Sequence, residues 1–191
     1  MQAKRIKWKE LNWEAEQYNL VFLDESGVNI DMTRRYGRAI GKARVHCSAP
    51  LNTPMSQTVL ASVRLNGQIT YTMYSGGTTG ERFLDYLKNV LIPTLHRGDI
   101  VVMDNMRSHH VKGVKEALRA AGVIPLYLPL HSPDLNPIEM LWSKMKAILR
   151  KWGCRLLRFC RRWSKRRLLL FHPMTVYSTS HKSGHSFTTG V

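Results

Sequence analysis

No aspartate or glutamate follows Glu139, although the chain runs on to Val191. Residues 151–191 carry nine Lys and Arg and no acid, whereas residues 1–150 hold 20 Lys and Arg against all 13 acids. The body is therefore moderately basic and the end strongly so. Cysteine is scarce as well. Cys47, Cys154 and Cys160 are too few and too scattered for a disulfide framework, which implies a reducing compartment. With His172 they make no zinc pattern, because compact spacing and a fourth ligand are lacking. No run approaches the ~18 consecutive apolar residues of a membrane-spanning helix. Met1 to Asn12 is basic and lacks the apolar stretch of a signal peptide, so a cytoplasmic protein with no membrane partner is expected.

What is present points to a polyanion. The 191 residues, 43% of them apolar, suffice for one domain with its own core. A formal net charge of +16 favours a phosphate-bearing partner, because basic surface gains affinity by releasing counterions. Charge alone does not separate a nucleic-acid binder from a solvated surface, so the chemistry of specific residues has to decide.

Along the chain, Lys4 to Gln17 reads as a short helical lead-in or linker, with Trp8 and Leu11 on its apolar side and Trp13 a further candidate for it. Asn19 to Asp24 is an apolar run ending in an acid, the pattern of a buried strand. Asp31 to Arg44 is polar and basic and contains Gly37 and Gly41, so it reads as a long loop. Ser56 to Leu65 and Ile69 to Tyr74 are β-rich runs joined by Asn66-Gly67-Gln68, a hairpin signal. Thr79 opens a helix with Phe83, Leu84, Leu87, Val90 and Leu91 at helical spacing, stopped near Pro93. Asp99 to Asp104 reads as a buried strand, His109 to Ala121 as a helix closed by Gly122, and Val123 to Leu128 as a strand. Pro137 to Lys151 is an amphipathic helix with Ile138, Leu141, Trp142, Met145 and Ile148 or Leu149 on one face. Three strands followed by alternating helices and strands predict an α/β fold, a mixed five-stranded sheet flanked by helices.

Three acids stand out. Asp24 closes Leu20-Val21-Phe22-Leu23, and Asp104 closes Ile100-Val101-Val102-Met103. An acid at the end of a buried strand either bonds a loop amide or needs another partner, since a bare buried charge is costly. Were the two strands neighbours, both carboxylates would reach one edge of the sheet, and their repulsion would call for a cation. Glu139 has two readings. Asn136 suits an N-cap, Pro137 the first helical position and Glu139 the third, as in a capping box. With Ile138, Leu141 and Trp142 on the sheet, however, Glu139, Ser143, Lys146 and Arg150 form a polar stripe. That stripe sets one acid near the strand ends and two bases further along.

Leu23-Asp24-Glu25-Ser26-Gly27 on the first strand, Asp104-Asn105 with His109 after the fourth, and Ser132-Pro133-Asp134-Leu135-Asn136-Pro137-Ile138-Glu139 at the last helix occur in that order. Asp104 and Glu139 are separated by 34 residues. In these features, over about residues 18–150, the chain resembles the catalytic domain of DDE transposases of the mariner-like superfamily and its bacterial insertion-sequence relatives. The resemblance implies a ribonuclease-H-like fold and two-metal phosphoryl transfer, normally with two Mg²⁺ ions and with Mn²⁺ as a substitute. It further implies that Asp24 bridges both ions while Asp104 and Glu139 each complete one site, an all-oxygen set that suits hard cations. The same centre would cut transposon ends and join them to target DNA. Double-stranded DNA is then the expected partner, the bacterial nucleoid the expected setting, and no small-molecule cofactor is expected.

Asn105 and His109 match the family's motif and are expected to order the loop beside the metals. His109 suits a place behind the ligands or against DNA better than direct ligation. His110 reads as surface and Asp134 as a turn residue. Glu25, pointing away from Asp24 on an alternating strand, reads as structural. Arg34, Arg35, Arg38, Lys42 and Arg44 surround Tyr36 and are expected to contact DNA phosphates, as are Lys146 and Arg150. A solvated basic loop is the plainer alternative for the first five. In mariner-like proteins the corresponding insertion also touches the partner subunit, so homodimer contact is a second expectation for this loop.

The chain departs from the family in two places. Transposases of this type carry helix-turn-helix modules before the catalytic domain, and here about 18 residues precede the first strand. Recognition of transposon ends is therefore expected to come from elsewhere. After Arg150 an acid-bearing helical continuation is replaced by Trp152-Gly153-Cys154-Arg155 and then Arg161-Arg162-Trp163-Ser164-Lys165-Arg166-Arg167. Residues 1–17 are read as a lead-in, 18–150 as the catalytic domain and 151–191 as a basic tail, either a DNA-binding arm or the product of a frameshift. The expected function is that of a transposase-type endonuclease and strand transferase. The alternatives are a host nuclease of the same fold and an inactive DNA-binding remnant of a transposase.

Overall fold

In the computed structural model the described residues are Trp8, 19–29, 32–34, 36–46, 56–130 and 132–152. Arg35, the rest of the lead-in around Trp8 and the basic tail beyond residue 152 lie outside them. The apolar runs form strands β1 (Leu20–Asn29), β2 (Ser56–Arg64), β3 (Ile69–Ser75), β4 (Ile100–Met103) and β5 (Ile124–Tyr127). They make one sheet in the order β3-β2-β1-β4-β5. The first three strands are antiparallel neighbours, whereas β4 runs parallel to β1 and β5 parallel to β4. This is the expected mixed five-stranded sheet. The β2–β3 hairpin turns at Asn66-Gly67, with Gly67 at φ 87°, a conformation that disfavours any side chain. The Gln68 amide donates to Asn66 Oδ1 at 2.9 Å and helps close the turn.

Helices cover both faces. On one side lie α1 (Gly80–Tyr86) and α2 (Val114–Ala120), and on the other α3 (Ile138–Trp152). Thr79 caps α1 by accepting the Arg82 amide at 3.3 Å, and the helix runs on through a widened turn, Leu87–Leu91, into Ile92–Thr94. The two-residue period of β1 sorts its side chains between the layers. Leu20 and Phe22 join Ile138, Leu141, Trp142, Met145 and Leu149 of α3, with Trp8 in the same cluster. Val21 and Leu23 join Phe83, Tyr86, Leu87, Val114 and Leu118 on the opposite face. At roughly 1.5–3 kcal/mol per fully buried large side chain, this packing outweighs the propensity of any one helix.

Two boundaries differ from expectation. β1 continues past Asp24 to Asn29, because β2 pairs with it as far as Asn29↔Ser56. The helix expected from His109 begins only at Val114, and Arg107–His110 is a separate 3₁₀ turn. Gly113 causes the break: it sits at φ 99°, and its amide donates to the Glu116 carboxylate at 2.9 Å, fixing the start of α2.

The sheet edge where β4 begins is closed by a buried pair absent from the sequence reading. Arg64 donates to both carboxylate oxygens of Asp99, at 3.1 Å to Oδ1, and to the Thr94 carbonyl at 3.2 Å. The His96 amide donates to Asp99 Oδ2 at 2.7 Å. Burial would raise the Asp99 carboxyl, but these donors hold it below its ordinary value.

Candidate active site

β1 and β4 pair as Leu20↔Ile100, Val21↔Val101 and Phe22↔Val102. Two more steps of the same parallel register set Asp24 level with Asp104, at the edge where β4 ends. The segment after β5 folds across this edge and leads into α3, whose first turn carries Glu139. Asp24, Asp104 and Glu139 line one pocket of about 270 Å³, together with Asn105, Met106, Leu128, Pro129, Leu130, Ser132, Pro133 and Asn136.

Each acid is held differently. Asp24 is buried, and the Trp142 indole N–H donates to its Oδ2 at 3.0 Å. Burial pushes the Asp24 carboxyl from 3.8 up to about 7, and repulsion from Glu139 and Asp104 adds to the rise against donation from the Glu25 amide and Trp142. Burial also acts to raise Asp104, but His109 and the Met106 amide keep it below the usual carboxylate range. Its Oδ1 lies 2.7 Å from His109 Nδ1 and accepts the Met106 amide at 3.0 Å. The Glu139 carboxyl is raised by burial and by Asp104, with Lys146 pulling the other way.

The capping alternative for Glu139 fails on one hydrogen bond. Asn136 does cap, its Oδ1 accepting the Ile138 amide at 3.4 Å, but its own N–H donates to the Pro133 carbonyl at 2.9 Å. The amide that a capping box would give to Glu139 is already engaged, and the carboxylate lines the pocket instead.

His109 is fully buried and stacked on Phe83, with ring centroids 4.2 Å apart. It faces Asp104 through Nδ1 and, through Nε2, the Oε2 of Glu25 at 3.5 Å. Burial alone would lower this imidazole, but the two carboxylates, Asp104 first, raise it to about 9. Glu25, read from sequence as merely structural, thus backs the histidine that holds Asp104. Asn105 ties two loops together: its Nδ2 donates to the Leu128 carbonyl, and its Oδ1 meets His110 Nε2 at 3.1 Å. His110 is exposed and stacks on Tyr127, with Lys115 over the same tyrosine.

The basic residues are more dispersed. Arg34, Arg38, Lys42 and Arg44 are exposed on the loop after β1, and among the described residues none of them lines the pocket. Arg35 lies outside the described residues. Lys146 and Arg150 are half-buried on α3, and Asp134 is exposed in the Pro133–Leu135 turn. Sequence reasoning missed the roles of Glu25 and Trp142. A signal existed for the second, since Trp142 is the only member of the apolar stripe of α3 that carries a hydrogen-bond donor.

The donor set suits hard divalent cations: three carboxylates share one pocket, where Glu139 and Asp104 add to the rise of Asp24 and Asp104 to that of Glu139. Among the described residues no three His, Cys, Asp or Glu side chains already converge on a single point. Asp24 and Asp104 are instead turned partly toward their protein donors, Trp142, His109 and the Met106 amide.

Residues 19–156 match the family described as DDE superfamily endonuclease. The transposase of the transposable element Tcb2 from Caenorhabditis briggsae is 31% identical over 160 residues, which cover 76% of this chain and 58% of that protein. This chain thus spans 58% of the length of that curated relative. Among solved structures, the Mos1 mariner paired-end complex with Mn superposes with a TM-score of 0.81 at 18% identity, covering 96% of this chain and 57% of that one. The catalytic domain of Mos1 mariner transposase superposes with a TM-score of 0.64 at 18% identity, covering 97% and 92%. The fold is accordingly the expected ribonuclease-H-like one. Family match and relative agree, and the chain belongs to the DDE superfamily endonucleases.

Proposed function

We propose that this chain is the catalytic part of a mariner-like DNA transposase, cutting transposon ends and joining them to target DNA with divalent cations. The observation that carries the reading is the single pocket lined by Asp24, Asp104 and Glu139, which come from three separate parts of the chain. Solved relatives of the same fold are described as a Mos1 paired-end complex with Mn and one with Mg. Asp24, Asp104 and Glu139 would hold the cations. Divalent cations held there would supply activation of a water or 3′-hydroxyl and neutralise charge on the leaving oxygen.

The chain's own residues prepare the site. His109 and the Met106 amide fix Asp104, and Glu25 keeps His109 facing it. Asn105 braces the loop after β4 against the loop after β5. Lys146 and Arg150 on α3, Arg34, Arg38, Lys42 and Arg44 on the loop after β1, and Arg35 in the same stretch of sequence serve to hold the DNA backbone. Tyr36 and Ile40, 90% and 96% exposed on that loop, suit contact with a second copy of the chain.

The test is nicking of a supercoiled plasmid that carries the element's terminal repeats. Nicking is expected with Mg²⁺ or Mn²⁺ and not with chelator, and Asp104→Ala should abolish it while leaving DNA binding intact. Nicking that survives Asp104→Ala rejects the site. Binding without nicking by the parent chain supports the inactive remnant instead.

A further inference from the structure

We propose that Trp142 is a positioning residue for Asp24, its indole N–H holding one carboxylate oxygen so that the carboxyl group is set in place before a cation arrives. The inference rests on the reading of Asp24 as a metal ligand and goes beyond it by naming the residue that orients that ligand. Trp142 and Asp24 are 118 residues apart, and they meet because α3 lies on the face of the sheet to which Asp24 points. Both are buried, at 2% and 7% exposure, and the N–H to Oδ2 distance is 3.0 Å.

The chemistry of the stripe makes this specific. Ile138, Leu141, Met145 and Leu149 fill the same face with purely apolar groups, so packing there does not require an indole. A donor aimed at a buried carboxylate forms a charge-assisted bond, stronger than its neutral equivalent, and it restricts rotation of the carboxyl group. Outer partners of metal ligands act in this way, and losing one typically costs ~10–100-fold in metal affinity. Trp142 and His109 then make a matched arrangement: one anchors Asp24 on β1 and the other Asp104 just after β4, from opposite faces of the sheet.

The test measures Mn²⁺ binding by the full chain, using the electron spin resonance of free Mn²⁺, alongside the thermal midpoint. Trp142→Phe removes the donor together with some volume. Replacing Trp142 by β-(3-benzothienyl)alanine removes the donor and keeps the bicyclic shape, so it reports even if the phenylalanine variant fails to fold. Leu149→Ala is the packing control. The expected result is ~10-fold weaker Mn²⁺ binding in the benzothienyl variant with a near-parental midpoint, whereas Leu149→Ala lowers the midpoint and leaves affinity in place. Parental Mn²⁺ affinity in the folded benzothienyl variant overturns the inference while leaving the metal site standing. A parent chain that binds no Mn²⁺ overturns both.

Discussion

The Asp24 carboxyl, raised by burial from 3.8 to about 7, is a cost that the fold carries whenever that group is ionised without a cation. A carboxyl whose folded value lies above its unfolded one binds its proton more tightly in the folded chain. Stability of the metal-free chain is therefore expected to fall as pH rises from about 4 to 7, by up to about 4 kcal/mol from this group. Asp24→Asn should be more stable than the parent at pH 8 in chelator and close to it near pH 4, as read from urea midpoints. An advantage of equal size at both pH values contradicts the account. His109 has the opposite sign. Its value is raised from 6.5 to about 9, so its contribution is full below 6.5 and is lost as pH climbs through 9. Glu25→Gln should bring the His109 titration, followed by imidazole resonances, back toward its ordinary range. A titration that stays put means Glu25 does not face the ring in solution.

Among the elements, the start of α2 and the closed end of the sheet are the most exposed to single changes. Gly113 sits at φ 99°, so Gly113→Ala should cost ~1–2 kcal/mol through backbone strain alone, since the added carbon meets only Leu84 at 3.4 Å. Asp99→Ala leaves Arg64 buried and unpaired and should cost ~3–5 kcal/mol. Because that pair lies at the edge opposite Asp104, cation binding by the fraction that remains folded is expected to be unchanged. The same elements show what the sequence discloses. The hairpin at Asn66-Gly67, the apolar face of α3 and the ends of β4 and β5 were readable, because each follows from local periodicity or a turn residue. The true length of β1 was not, since it depends on how far β2 pairs beside it. The late start of α2 was hidden because Gly113 interrupts an otherwise helical pattern. Asp24, Asp104 and Glu139 could be picked out by order and spacing. The choice between cap and pocket for Glu139 turned on whether the Asn136 amide was already engaged, a fact of tertiary structure.

For the molecule as a whole, cation binding and folding are linked. A cation that binds only the folded chain should add about 2.7 kcal/mol of stability at one hundred times its dissociation constant. Mn²⁺ or Mg²⁺ is thus expected to raise the thermal midpoint of the parent, and Asp104→Ala should largely lose that rise. A net charge of +16 further predicts that DNA affinity falls steeply between low and physiological salt, measurable by anisotropy titrations. The placement of the acids on β1, just after β4 and on α3 also has a bearing on synthesis. A chain emerging from the ribosome amino end first holds two of the three acids while α3 is still unmade. The third arrives on the helix that also brings Trp142 to Asp24. An interrupted translation product ending before Glu139 would carry much of the sheet and only two of the three acids that line the pocket. On the proposed reading, the order of synthesis withholds the cation site until the last helix has been made.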